Sequence, residues 1–383
     1  MRFIHTADWH LGRSFHNAVL TGDQEKLLKN EFLPLVREEK AEAVIIAGDI
    51  YDRGVPPVEA VALFDEVLSR LQELGVPVLY IAGNHDSALR LGFGSRLLPK
   101  AGIYVRGAAS RGNQPVVLED KHGPVYFALL PYAEPLQVRR LFGLEETLSF
   151  DSASRMLAED ICQSIPEGAR SVAVAHAFLA GGQAGDSERP LSVGGSANVS
   201  PDIFKPFSYA ALGHLHGPQK AGAETIRYSG SLMKYSFGEE GQKKGAEIVE
   251  LDALGRVTHS FVELKPPRDM RRLKGTFAEI LGNREKYPAS DDYLEIELTD
   301  IGMVPNAMAR LQDVFPHALS IRQAPLAGGG EADVSSRQEI LHKDELELFA
   351  DFYREAYAEE MSEEQRIMVQ ECISDVLQEE REC

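Results

Sequence analysis

The chain has 383 residues, enough to bury a large core and to form two or three domains. Its 40 Lys and Arg against 59 Asp and Glu give a net charge of −19, which excludes a body that holds polyanions by bulk positive charge. Cys162, Cys372 and Cys383 are too few and too scattered for a disulfide framework or a thiolate metal site, so any metal must sit on oxygen and nitrogen.

The opening run Arg2-Phe3-Ile4-His5-Thr6 is β-prone and stops at the polar Ala7-Asp8-Trp9-His10, with no apolar signal-peptide core. No apolar stretch of about 18 residues follows anywhere. A cytoplasmic chain with no membrane span is expected.

The same pattern recurs downstream. Ala43 to Ala47 ends in Gly48-Asp49, Val76 to Ile81 ends in Ala82-Gly83-Asn84-His85-Asp86, and Ser171 to Ala175 ends in His176. Each is an unbroken apolar run, as a strand buried on both faces requires. Gln24 to Glu39 places Leu27, Leu28, Phe32, Leu35 and Val36 at helical spacing, and Val58 to Leu74 repeats that pattern between Pro56-Pro57 and Gly75. Alternating strands and helices predict stacked α/β layers whose functional loops gather at strand carboxyl ends.

Val125 to Leu130, Tyr209 to Leu212, Ile226 to Ser229 and Gly245 to Leu251 predict further strands, forming a second sheet that faces the first, with one helix near Ser152 to Ile161. The expected fold is therefore four-layered, two mixed sheets flanked by helices, over residues 1–269, closing at Lys265-Pro266-Pro267. Residues 270–325 predict a small α+β cap. Residues 326–338, with Gly328-Gly329-Gly330, predict a linker. Residues 339–383 predict two helices or one broken near Met361-Ser362. They carry an apolar stripe of Leu341, Leu346, Phe349, Phe352 and Tyr353 on a segment with 17 acidic and 5 basic side chains from Glu331 onward.

The chemistry lies where strands end. Asp8, His10, Asp49, Asn84, His85, His176, His214 and His216 are all oxygen or imidazole donors at such ends. Single donors of this kind often cap helices, but independent caps need not favour imidazoles or follow unbroken apolar strands. A carboxylate can bridge two cations and an imidazole offers one nitrogen to one metal, so Asp49 is the natural bridge. Asp8 and His10 with one of His214 or His216 would complete one site, and Asn84 and His176 with the other would complete the second. An extended backbone through His214-Leu215-His216 would point both rings the same way. Two such cations suit phosphoester hydrolysis, with His85 left to contact the phosphate or protonate the leaving oxygen.

The ordered set Asp8-Trp9-His10-Leu11-Gly12, Gly48-Asp49-Ile50-Tyr51-Asp52, Gly83-Asn84-His85-Asp86, His176 and Gly213-His214-Leu215-His216 resembles the calcineurin-like metallophosphoesterase superfamily. Pro56-Pro57 and Tyr228-Ser229-Gly230-Ser231-Leu232 extend the likeness, to about Leu264, to its bacterial nuclease subunits. The resemblance implies Asp8, His10, Asp49 and His216 around one metal, and Asp49, Asn84, His176 and His214 around the other. Mn²⁺ is the implied pair of ions, and His85 lies beside the scissile phosphate. It also implies 3′ to 5′ exonuclease action on double-stranded DNA ends and endonuclease action on single-stranded or hairpin DNA. The implied partners are a second nuclease subunit and a coiled-coil ATPase docked on the C-terminal helices, in DNA repair, recombination and replication. Archaeal and eukaryotic relatives usually carry His where this chain has Asp52. The competing readings are a phosphoesterase for small phosphodiesters or nucleotides, and a scaffold subunit with little activity.

Overall fold

The computed structural model describes residues 1–185, 187–188, 198–300, 304–324, 345–357 and 360–382. The predicted linker at 326–338 and the stripe residue Leu341 lie outside them.

Strand β1 (Arg2–Thr6) is followed by a short hairpin, β2 (Ser14–Phe15) and β3 (Ala18–Val19), and then by β4 (Ala43–Ile46), β5 (Val78–Ile81) and β6 (Ile103–Arg106). β1, β4, β5 and β6 pair in parallel. Their outer face buries Ile4, Val44, Ile46 and Tyr80 against Leu27, Phe32, Phe64 and Val67 of the crossover helices, the arrangement the helical spacing predicts.

The second sheet contains β7 (Val116–Asp120), β8 (Gly123–Leu130), β9 (Ser171–His176), β10 (Tyr209–Gly213), β11 (Gln219–Ala221) and β12 (Ala223–Tyr228), in the order β11-β12-β10-β9-β8-β7. Its four inner strands are also parallel. Between the sheets lie Phe3, Ile45, Leu79, Phe127, Val174 and Tyr209, with Phe3 meeting Phe127 and Tyr209 edge-on at 6.1 and 5.8 Å. Helix Phe150–Cys162 covers the far face through Ala158 and Ile161. The molecule is thus a four-layer sandwich with both sets of parallel strands ending at one edge.

One strand changes sheets relative to the sequence expectation. β13 (Gly245–Leu251) belongs to the first sheet, antiparallel beside β1, and β14 (Val257–Glu263) pairs outside it. The N-terminal ammonium donates to Leu251 O at 2.7 Å and so fixes this closure. A helix over Pro135–Phe142 has no counterpart in the sequence expectation; only Val138 on it is buried, which leaves almost no apolar period to read.

β15 (Met270–Gly275), β16 (Tyr293–Leu298) and β17 (Ala318–Gln323) form a separate parallel sheet, with helices Phe277–Gly282 and Ala307–Gln312 in its crossovers. Its core is Phe277, Ile280, Leu294, Ile296, Leu311 and Phe315. It meets the sandwich through buried Asp23, which accepts from Tyr293 Oη at 2.8 Å and pairs with Arg268. Helices Glu345–Tyr357 and Glu363–Glu382 end the chain, separated at Ser362, whose hydroxyl accepts from the Gln365 amide. Leu346 and Ala350 are buried there, whereas Leu348, Phe349, Phe352, Ile367 and Met368 are exposed.

Candidate metal centre

All eight residues singled out from the sequence converge at the shared carboxyl edge, none more than 6% exposed. Asp8 and His10 follow β1, Asp49 follows β4, Asn84 and His85 follow β5, His176 ends β9, and His214 and His216 follow β10. The chain turns sharply as it leaves these strands. Asp8, His10, Asp49 and His214 have φ of 53°, 44°, 50° and 104°, a region that L-residues rarely adopt and that costs energy to hold. The bend at His214 corrects the extended backbone expected through His214-Leu215-His216: the His214 ring turns to Asn84 and the His216 ring to His10. Glycine permits this crowding, since a Cβ at Gly48 would collide with the His176 ring across the sheets and one at Gly83 with Asp49 on the neighbouring loop.

The proton inventory shows what this cluster lacks. His176 Nδ1 lies 2.9 Å from Ala47 O, His85 Nδ1 2.8 Å from Asp52 O, and His216 Nδ1 3.1 Å from Glu239 Oε1. A carbonyl or carboxylate only accepts, so Nδ1 carries a proton in each ring, and the neutral form of such a ring presents a lone pair at Nε2. These Nε2 atoms turn inward, toward other atoms able to ligate a metal. His176 Nε2 is 2.9 Å from Asn84 Oδ1 and 3.5 Å from Asp49 Oδ2, and His216 Nε2 is 3.0 Å from His10 Nε2. Asp49 Oδ1 accepts from the His85 amide at 2.9 Å, leaving Oδ2 between the two groups, 3.6 Å from His10 Nε2. His10 Nδ1 is buried with no hydrogen bond, its nearest carboxylate oxygen being Asp52 Oδ1 at 3.5 Å.

Asp8, His10 and His216 offer donor atoms within 4.8 Å of one another, as do Asp8, Asp49 and His176, and His10, Asp52 and His85. Burial, then the neighbouring Asp49 charge, pushes the Asp8 carboxyl well above its ordinary range. Burial also lowers His176 to about 4 and holds His10 and His214 well below the ordinary imidazole range, so these rings are neutral. Lone pairs without protons, beside carboxylates that repel one another, are a donor set that fits divalent cations.

A model described as calcineurin-like phosphoesterase matches residues 1–218. The chain belongs to this family. A second model, described as the type 5 capsule protein repressor C-terminal domain, matches residues 266–357. A relative from Staphylococcus epidermidis (strain ATCC 12228 / FDA PCI 1200), named as the SbcD subunit of nuclease SbcCD, is 30% identical over 381 residues, 99% of this chain and 100% of the relative. That identity and coverage place the chain in the same nuclease family. The crystal structure of TT1561 of Thermus thermophilus aligns over 68% of this chain and 98% of that one, at 14% identity and a TM-score of 0.39. The chain is a metal-dependent phosphodiesterase.

Several residues around this phosphoesterase centre escaped sequence reasoning. Glu239, fully buried, accepts from His216 Nδ1 and pairs with Lys244 Nζ at 2.7 Å. Burial pushes its carboxyl up, but His216 and Lys244 more than offset this and hold it well below the ordinary range. Ser187 joins the same group, and Glu188 Oε1 accepts from the His216 amide at 2.8 Å. Asp86 accepts from the amides of Ile50, Tyr51 and Gly83, tying the Asp49 loop to the Asn84 loop, and burial with the Asp49 charge raises it to about 7. Asp52 pairs with Arg13 at 3.0 Å, beside His10.

The clustered basic residues outside the centre, which a DNA surface would need, are mostly engaged by carboxylates. Arg268 pairs with Asp23, Arg271 with Asp292, Arg272 with Glu295, Lys274 with Glu297, and Lys243 with Glu263, while Lys244 is buried. Arg139 and Arg140, on helix Pro135–Phe142, have no ion pair among the described residues.

Proposed function

We propose that this chain is the two-metal DNA nuclease subunit of a complex with a coiled-coil ATPase. It acts as a 3′ to 5′ exonuclease on double-stranded ends and as an endonuclease on single-stranded or hairpin DNA, in repair, recombination and replication. The observation that carries this reading is the meeting of unprotonated imidazole and carboxylate lone pairs around Asp49 Oδ2, in a chain alignable end to end with a nuclease subunit. Asp8, His10, Asp49 and His216 would hold one Mn²⁺, and Asp49, Asn84, His176 and His214 the other. When bound, such ions polarise phosphoryl oxygens and lower the pKa of bound water.

The protein's own groups then act as follows. The His214 amide orients both Asp8 oxygens, at 2.9 and 3.1 Å, and Ala47 O and Glu239 orient the rings of His176 and His216. His85, with Nδ1 pinned to Asp52 O, holds Nε2 toward the centre, 4.0 Å from Asp49 Oδ2, where in its protonated form it contacts the phosphate and gives its Nε2 proton to the leaving oxygen.

We read residues 1–269 as the nuclease domain, 270–325 as the cap, 326–338 as the linker and 339–383 as the ATPase-binding segment. The exposed Phe349, Phe352, Ile367 and Met368 support that last role. Exposed Val58, Val61, Leu89, Phe93 and Leu97 support pairing of two nuclease subunits.

The test is incubation with end-labelled duplex, hairpin DNA and a small phosphodiester in Mn²⁺, Mg²⁺ or EDTA. Mn²⁺-dependent DNA cleavage should vanish in both Asp49→Ala and His85→Gln, while bound metal should fall strongly only in Asp49→Ala. Turnover of the small ester with DNA untouched, partner ATPase included, would overturn the nuclease reading.

A further inference from the structure

A pocket open to solvent adjoins the metal centre on the side of the second sheet. One of its walls is His176, which also faces Asn84 and Asp49. The rest is apolar and aromatic: Tyr132, Phe150 and Phe178 at the mouth, half-exposed, with Leu130, Leu157 and Phe204 behind them.

The rings are held in place. Tyr132 donates its amide to Ala82 O at 3.0 Å and its hydroxyl to Glu134 at 2.5 Å, so it lies against the loop that carries Asn84. Its ring is 6.2 Å from Phe150 at 35°, and 6.5 Å from the His176 ring, edge-on. Phe178 is held through its carbonyl by the Val199 amide at 2.8 Å, and its ring lies 6.2 Å from His214. A fixed aromatic slot therefore shares a wall with a site for phosphoryl oxygens. The ligand matching both is an anionic head joined by a short spacer to a flat, apolar-faced ring.

Charge sharpens the match. With a net charge of −19 and most candidate cations engaged by carboxylates, this chain has little means of tracking a phosphate backbone electrostatically. Base stacking on aromatic side chains supplies affinity for single strands without such charge.

We propose that this pocket receives the base of a nucleotide flanking the scissile phosphate, unpaired and turned out of its strand. The proposal rests on the nuclease reading and adds the form in which that substrate is held. The Tyr132 hydroxyl is turned to Glu134 and Ser154 is the other side-chain hydroxyl among the described lining residues, so the slot distinguishes a base from no base, and not one base from another.

The test uses the full chain with Mn²⁺ and single-stranded oligonucleotides in which a tetrahydrofuran abasic unit is moved past the cut site. At one register the abasic unit should raise KM roughly tenfold or more, as loss of one stacked base does, while exchanging the four bases there changes KM less than threefold. Phe178→Ala and Phe150→Ala should each raise KM on intact DNA and show no added penalty on the abasic strand. Phe178→Trp should restore KM. Bound Mn²⁺ and the kcat for methyl p-nitrophenyl phosphate at saturation should match wild type in all three variants. Equal KM for intact and abasic strands at every register overturns the pocket while leaving the nuclease standing, and so does a proportional loss of ester kcat and DNA cleavage in Phe178→Ala, which marks a collapsed His176 wall. Ester turnover without any DNA cleavage overturns both.

Discussion

The metal centre and the C-terminal sheet manage charge in opposite ways. At the centre Asp8 and Asp86 are both buried in the field of Asp49, and imidazole faces imidazole. In the small sheet nearly every charge meets its opposite, as in Arg271 with Asp292, Arg272 with Glu295 and Lys274 with Glu297. Positive φ at four donors adds backbone strain to the first region, whereas Asn306 is the described non-glycine residue that shows it in the second. The first region is complete only with cations; the second is complete by itself except for the apolar surface of the helices that follow it.

The largest expected effect breaks the comparison at its centre. Asp49→Asn should reduce phosphodiesterase activity by about three orders of magnitude, yet leave the chelated protein at least as thermally stable as chelated wild type. The substitution removes the charge that raises both Asp8 and Asp86. Calorimetry with and without EDTA reads this directly: wild type should lose stability on chelation and the variant should not. A variant that melts far below chelated wild type would show that the Asp49 charge itself holds the fold, since Asn keeps an oxygen for the His85 amide.

Next in size is the buried Glu239 and Lys244 pair. Glu239→Gln leaves Lys244 charged and 4% exposed without its carboxylate, a loss of about 3–5 kcal/mol, and should weaken Mn²⁺ binding roughly 10- to 100-fold through His216. Adding Lys244→Met should recover melting temperature without recovering metal affinity. Recovery of both by the double variant would make the pair purely structural.

How much of this could be read from the chain depends on which force fixes each feature. Strands β4, β5, β9 and β10 are legible because both faces are buried, so their sequences are nearly unbroken apolar runs, and the donors stand out where those runs stop, as they do after the β-prone β1. Helix Val58–Glu73 is legible from its apolar spacing between Pro56-Pro57 and Gly75, which marks the buried Phe64 and Leu71, although Val58, Val61 and Leu74 on the same reading are exposed and Leu63 and Val67 carry the rest of the buried face. Glu239 and Lys244 were not legible, because a short turn, not a periodic element, carries them to His216. The bend at His214 depends on its amide reaching Asp8, a contact 206 residues away in sequence. The placement of β13 beside β1 is likewise tertiary, since an apolar strand carries no label for its sheet.

Acid stability gives a smaller effect, away from the metals. His5 is buried between Tyr209 Oη at 3.0 Å and Leu212 O at 3.1 Å, and burial lowers its pKa to about 3. The unfolded chain therefore takes up this proton near pH 6.5 and the folded chain only near 3. The contribution is fully present above pH 6.5 and is lost as pH falls toward 3, at most about 1.4 kcal/mol per pH unit. Measured in EDTA, His5→Gln should flatten the decline in stability between pH 6.5 and 4. An unchanged slope would assign that decline to other groups.

The smallest effect tests the matched charges of the C-terminal sheet. Lys274 is 65% exposed and paired with Glu297 at 2.5 Å, so it resembles a DNA contact by sequence but is neutralised locally. Lys274→Ala should cost about 0–1 kcal/mol of stability, change KM for DNA less than twofold, and leave the slope of log affinity against log salt where it was. Arg139→Ala and Arg140→Ala, on residues with no ion pair among the described ones, should each reduce that slope by about 0.7–0.9 if they touch phosphates. A salt slope that fell with Lys274 and not with the arginines would place the DNA across the C-terminal sheet, and would mean that the carboxylates of this sheet yield their partners to phosphate.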